Sequence, residues 1–333
     1  MKNIVILATG GTIAGAGEQG KDIGYKSGSI EAQTLIDAVP ELKHVANIFV
    51  EQVCNINSDD ITSEIWITLA ERIKELAVEG IGTSHECVDG FVIMHGTDTM
   101  EETAFFLSLT LGANERSAAK PVVLTGSMRP ATAAKPDGPA NLLFSVKSAV
   151  DLSERVEATA KNMPVYVAFA GKLMNARSVQ KIHANDLDAF AEISPELSCP
   201  PPSGHLLLAN AKKAFDITSL RSLPKVSVLY FNADADASLI RFAAERSAGL
   251  VIAGAGAGEF SQSWAAAITE VVAKKIPVVI STRINRGCIV PEQLLVPGTI
   301  AAYDLPPAKA AVLLRLALTL TRDPVEIQKI FNE

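Results

Sequence analysis

Two threonines, each set beside glycine where an apolar run stops, are the residues of this chain best suited to chemistry. Ile4-Val5-Ile6-Leu7 runs into Ala8-Thr9-Gly10-Gly11-Thr12-Ile13-Ala14, and Phe91-Val92-Ile93-Met94 runs into His95-Gly96-Thr97-Asp98-Thr99. A hydroxyl just past a buried strand faces a ligand rather than the core, and it becomes a nucleophile only with a base or donor beside it. The loop from Gly15 to Gly28 holds five glycines and Tyr25, and its closure as a lid would bring that phenol to Thr12. At the second site Asp98 supplies a carboxylate and Gly96 lets a ligand approach the backbone. Free N–H groups at the start of the helix expected from Met100-Glu101-Glu102-Thr103 suit a developing oxyanion.

Plainer readings stand beside these. Thr97-Asp98-Thr99 ahead of two glutamates is also the pattern of a helix cap. Gly15-Ala16-Gly17-Glu18-Gln19-Gly20 fits G-x-G-x-x-G literally, but the polar Lys21-Asp22-Ile23-Gly24 opens no helix, and G-x-x-x-x-G-K-[ST] is absent. G-x-S-x-G is absent too. His44, His85, His95, His183 and His205 show no metal spacing, so no metal site is expected. Pattern alone singles out no lysine as a base.

Loops of this kind need rigid strands behind them. Apolar runs without polar alternation recur at 3–7, 90–94, 121–125, 164–170, 226–231, 249–253 and 276–280, with helical periodicity at 63–78, 101–111, 139–151, 237–247, 262–275 and 307–321. Strands that are apolar on both faces, alternating with helices, predict an α/β protein. The expected architecture is a larger N-terminal parallel-sheet domain with helices on both faces, plus a smaller C-terminal α/β domain. In such sheets ligands bind beyond the carboxyl ends of the strands, where both threonine motifs lie. Pro195, Pro200, Pro201, Pro202 and Gly204 break the order. The boundaries read as a catalytic domain over 1–205, a linker over 206–224 and a second domain over 225–333.

At 333 residues, with 48% hydrophobic and 20% charged, the chain is globular rather than disordered. A net charge of −7 offers no basic field for nucleic acid or anionic membrane. The four cysteines, Cys54, Cys87, Cys199 and Cys288, form no C-x-x-C pair and read as reduced thiols. The first strand begins at once, with no apolar run near the ~20 residues of a membrane span, so a cytoplasmic protein is expected.

The two threonine segments together resemble both signature motifs of the bacterial asparaginase/glutaminase family. The likeness continues through 124–130, 136–142, 309–314 and 327–331, nearly the whole chain. The resemblance implies a two-domain α/β hydrolase without cofactor, a homotetramer built from intimate dimers, that cuts the side-chain amide of a small amino acid through a threonine acyl-enzyme. L-Asparagine is the leading substrate, with glutamine, a D-isomer or a substituted amide behind it. It makes Thr12 the nucleophile, Tyr25 its lid partner, and Thr97, Asp98 and Lys181 a second hydrogen-bonded triad, the lysine coming from Arg177-Ser178-Val179-Gln180-Lys181. Ser58 matches the serine that holds the substrate α-carboxylate, and Gly11, Gly96 and Ser127 join it in the substrate set.

Departures from the family fall where the amino-acid end of the substrate belongs. Asp59 stands where the periplasmic enzymes usually carry glutamine. Glu259, in Gly254-Ala255-Gly256-Ala257-Gly258-Glu259, stands where the partner subunit usually offers asparagine. The segment Ile284 to Pro291 no longer resembles the stretch that carries the family's amino-group glutamate. Two further functions remain: an amidotransferase subunit acting on misacylated tRNA, disfavoured by the acidic charge, and a non-catalytic amino-acid sensor, which has no need of five reactive residues at once.

Overall fold

The computed structural model describes residues 1–21, 24, 26–112, 120–155, 164–193 and 214–332. The chain forms two compact units, one of Met1–Glu192 with Lys213–Arg221, the other carrying Ser222–Glu333. The boundary expected at 205 lies outside the described residues, as do residues 206–213 of the expected linker, while 214–221 of that linker belong to the first unit.

In the first unit the strands are β1 (Asn3–Gly10), β2 (Asn47–Ile56), β3 (Gly90–Met94), β4 (Val122–Thr125), β5 (Val165–Phe169), β6 (Lys172–Asn175), β7 (Val179–Lys181) and β8 (Phe190–Glu192). Its helices are α1 (Ala32–Asp37), α2 (Ser63–Glu79), α3 (Met100–Thr110) and α4 (Gly138–Ser153). Six strands form one sheet in the order β2-β1-β3-β4-β5-β6, parallel except for the last pair, while β7 and β8 pair by themselves. Alternation explains the buried strands. Ile4, Ile6, Ala8, Val92 and Met94 pack with Leu142, Val146 and Ala149 of α4 on one face, which leaves Val5, Leu7, Phe91 and Ile93, also buried, for the opposite face. There α2 presents Trp66, Leu69, Ala70 and Ile73 at helical spacing, and the Trp66 ring stacks on Phe106 of α3 with centroids 5.3 Å apart.

β1 has β2 on one side and β3 on the other. Successive strands therefore diverge from β1, and the crevice opens beyond the carboxyl ends of β1 and β3. β2 is the strand that the apolar-run reading missed. It is an edge strand, and Glu51, Gln52 and Asn55 interrupt its apolar residues.

The second unit has β9 (Val226–Tyr230), β10 (Gly249–Gly254), β11 (Val278–Thr282) and β12 (Ile300–Ala301) in a parallel sheet ordered β12-β11-β10-β9. Its helices are α5 (Ser238–Ala244), α6 (Gln262–Ala273), α7 (Pro307–Ala317) and α8 (Pro324–Phe331). Trp264, Ile268 and Val271 of α6 pack on Leu250, Ile252, Val278 and Ile280. Cys54 and Cys87 are free thiols, but Cys288 is disulfide-bonded, which corrects the reduced-thiol expectation for that residue. Among the described residues no helix is long and apolar enough to cross a membrane, and no His/Cys/Asp/Glu group could hold a metal.

Candidate active site

The site is built on a backbone contact between two strand ends. A Cβ on Gly11 would lie 2.4 Å from both the N and Cα of Gly96, and one on Gly96 would lie 2.8 Å from the Ser58 side chain. Only two glycines allow the loops after β1 and β3 to come this close. Gly11 has φ of 79° and opens a 3-10 turn, Thr12–Ala14, in which Thr12 is buried. Thr9 ties the two loops together from below, its hydroxyl donating to Met94 O at 3.0 Å.

The glycine-rich segment after Thr12 folds as a hairpin rather than a phosphate loop. Ala16 and Lys26 exchange backbone bonds of 3.0 and 2.9 Å, and Gly20 N–H donates to Thr132 O at 2.8 Å. No helix starts in its described part, so G-x-G-x-x-G here is no dinucleotide fingerprint. Tyr25 lies outside the described residues.

Beyond β3 the residues converge. Lys181 Nζ donates to Thr97 Oγ1 at 2.9 Å and to Asp98 Oδ1 at 2.5 Å. The lysine side chain is 15% exposed and that of Asp98 61%, so the cation is held mostly out of water while its counter-ion stays hydrated. Neither Asp98 nor Thr99 caps α3 through its side chain. Asp98 is committed to Lys181, and Thr99 Oγ1 donates to Ser58 O at 2.8 Å. The helix-cap reading therefore fails here.

The 3-10 turn Ser58–Asp60 follows β2 directly. Ser58 is buried and its Oγ accepts the Asp98 N–H at 3.3 Å. Asp59 is exposed and accepts from Asn57 Nδ2 at 2.9 Å. Ser127, past β4, is buried, and its hydroxyl donates to Arg129 O at 2.6 Å within its own turn. That turn is locked from α4's start, where the Asp137 carboxylate accepts the N–H groups of Met128 and Arg129 at 2.9 Å each. Glu259 is exposed in the second unit, its backbone bonded to Ala255. The structure thus gathers Gly11, Thr12, Ser58, Gly96, Thr97, Asp98 and Lys181 around the ends of β1 and β3.

His95, read only as a packing or surface residue, is fully buried and supports this loop from behind. Trp66 Nε1 can only donate, and it does so to Thr103 Oγ1 at 2.8 Å. Thr103's own proton then goes to His95 Nε2, 3.0 Å away. This leaves the ring proton on Nδ1, which donates to Gly96 O at 2.7 Å. Burial pushes the imidazole pKa down to about 4, the bond to Gly96 O opposing the shift. His95 is neutral near neutral pH and fixes the Gly96 carbonyl.

Comparison with known proteins agrees with this architecture. The family model described as "Asparaginase, N-terminal" matches residues 3–198, and the "Glutaminase/Asparaginase C-terminal domain" matches 225–331. Over its full length the chain is 36% identical to L-asparaginase 2 of Escherichia coli strain K12, spanning 93% of that protein. It is 34% identical, again over its full length, to glutaminase-asparaginase of Pseudomonas fluorescens biotype A, spanning 91% of it. A crystal structure of a probable cytoplasmic L-asparaginase from Campylobacter jejuni aligns with a TM-score of 0.82, 39% identity and 99% of each chain covered. These similarities define an α/β hydrolase. The chain belongs to the asparaginase family.

Proposed function

We propose that the protein hydrolyses the side-chain amide of L-asparagine to aspartate and ammonia through an acyl-enzyme on Thr12. The observation that carries this reading is Lys181 Nζ bonded to both Thr97 and Asp98, on the loop whose Gly96 touches Gly11, the residue before Thr12. Thr12 Oγ1 attacks the amide carbon, the C–N bond breaks, and the nitrogen leaves as ammonia with the hydroxyl proton. Water then attacks the ester, its proton passing by way of Thr97 and Lys181, and aspartate departs as the Thr12 hydroxyl is restored. Tyr25 acts as the lid partner of Thr12. Ser58 takes the substrate α-carboxylate, Asp59 and, across the subunit interface, Glu259 of the partner subunit its ammonium group, and Gly11, Gly96 and Ser127 complete the pocket. Neither metal nor cofactor enters this scheme, and the working form is a homotetramer made of intimate dimers, an assembly that rests on the family resemblance alone.

Glutamine is the second substrate reading, favoured by the full-length similarity to a glutaminase-asparaginase. Similarity to the Campylobacter jejuni protein favours the cytoplasm, whereas a disulfide at Cys288 suits an oxidising compartment; cell fractionation separates the two. The central test is ammonia release from a panel of L- and D-amides by the parent and by Thr12→Ala. The parent should prefer L-asparagine, and Thr12→Ala should be inactive with melting behaviour unchanged. Near-parental release by Thr12→Ala ends the nucleophile assignment, and a covalent adduct mapped to Thr97 by mass spectrometry transfers the role. No release from any amide by the parent would return the sensor reading.

A further inference from the structure

Lys181 sits on a strand that the main sheet does not hold. Among the described residues β7 pairs only with β8, antiparallel, with Lys181 opposite Phe190. The edge of β7 away from β8 has no neighbouring strand among the described residues, and backbone donors on such an edge need acceptors from elsewhere. The Lys181 N–H finds one in a side chain, the Oε2 of Glu101, 2.5 Å away. Glu101 lies in the first turn of α3, where the helix N-terminus favours a carboxylate. That turn continues directly from the loop carrying Thr97 and Asp98. One short segment, 97–101, therefore grips Lys181 at both ends: its ammonium through Thr97 and Asp98, its backbone through Glu101.

We propose that Glu101 is a positioning residue for the reaction, standing in for a missing strand so that the Lys181 backbone stays in register with Thr97 and Asp98. The proposal rests on the reading of Lys181 as the group that moves the proton. A lysine reaches its target along a flexible four-carbon stem, so where Nζ falls depends on how firmly its Cα is held. Glu101 needs no contact with substrate for this. Its carboxylate acts as a hydrogen-bond acceptor, and a neutral amide oxygen in the same place serves the same purpose.

The test compares steady-state kinetics of Glu101→Ala, Glu101→Gln and Lys181→Met with the parent, alongside thermal melting. A displacement of about 1 Å in such a group costs roughly 100-fold in rate, so Glu101→Ala should lose about 10- to 100-fold in kcat with KM within about twofold. Glu101→Gln, which keeps an acceptor oxygen, should recover kcat to within about fivefold of the parent. Lys181→Met should lose kcat at least as heavily as Glu101→Ala. A parental kcat in Lys181→Met overturns the base assignment, and the role of Glu101 falls with it. An inactive Lys181→Met together with a near-parental Glu101→Ala, or a Glu101→Gln as damaged as Glu101→Ala, overturns the positioning role alone. Should Glu101→Ala lose its cooperative melting transition, Glu101→Gln decides: kcat within about fivefold supports the role, and a loss near 100-fold overturns it.

Discussion

The loops after β1 and β3 in the first unit and the loop after β10 in the second start from the same ingredients and end differently. Each leaves a buried parallel strand, and each carries glycine with a threonine nearby. In the first unit the glycines of two different strands meet, Gly11 against Gly96. In the second, glycines of one loop meet each other, a Cβ on Gly254 falling 2.4 Å from the Gly258 carbonyl carbon, while Ala255 and Glu259 pair across the turn. The hydroxyls diverge accordingly. Thr97 Oγ1 receives the Lys181 ammonium, whereas Thr282 Oγ1, at the end of β11, donates to Gly256 O of the loop after β10 at 2.6 Å and accepts the Ile284 N–H of its own turn at 3.0 Å, so its bonds go to backbone groups. Glycine at a strand end is common to both. What marks the reactive end is a titratable pair aimed at its hydroxyl.

Alanine in place of one glycine on each side should expose this contrast most strongly. Gly11→Ala combines φ of 79° with a Cβ only 2.4 Å from Gly96 backbone atoms, so one of the two loops must move. Turnover should fall by about 100-fold or more, the scale of a misplacement near 1 Å. Gly256→Ala also carries a positive φ, 48°, but meets nothing within 4 Å. It should cost only about 1 kcal/mol of stability and leave the kinetic constants nearly unchanged. Equal kinetic damage from the two substitutions would mean that the backbone contact does not build the site.

Acid should distinguish the two regions next. His95 has its folded pKa near 4, below the ordinary value of about 6.5 that it regains on unfolding. As pH falls through that interval the unfolded chain takes the proton first, so stability present above about 6.5 is lost progressively toward 4, by up to about 3 kcal/mol. His95 lies in the first unit, so this acid slope belongs there. Denaturant midpoints measured between about pH 7 and 4.5 should fall more steeply for the parent than for His95→Gln. Parallel slopes would remove His95 from the acid response.

The sequence made β1, β3, β4 and β10 legible because both faces of each are covered, which writes a continuous apolar run. It hid β2, whose edge position admits Glu51 and Gln52, and with β2 the reason that Ser58 comes to the ends of β1 and β3. Lys181 could not be chosen by pattern, since β7 is three residues long and a lysine on so short a strand has no periodic signature. Only the likeness of 177–181 to a family motif pointed to it. Glu101 carried the opposite ambiguity. An acid in a first helical turn is commonplace, and nothing in its spacing shows that the acceptor it offers belongs to a strand 80 residues away.

The smallest expected effect bears on the one place where the proposed function calls on the second unit's quiet loop. Asp59 and Glu259 are both exposed, and neither needs its charge for its own fold: Asp59 accepts one bond from Asn57, and the interactions of Glu259 with Ala255 are backbone ones. Charge-neutral replacements therefore change little except what these residues offer a ligand. If both meet the ammonium end of asparagine, Asp59→Asn and Glu259→Gln should each raise KM several-fold, on the scale of one weakened charge-assisted hydrogen bond, with kcat held within about twofold because the scissile amide is untouched. N-acylated asparagine, which lacks the cation, should discriminate less between the parent and either variant. A Glu259→Gln enzyme with parental KM and parental preference among amides would leave that residue as a solvated turn, and the loop after β10 would then be inert in chemistry as well as closed in structure, with substrate charge read by Asp59 alone.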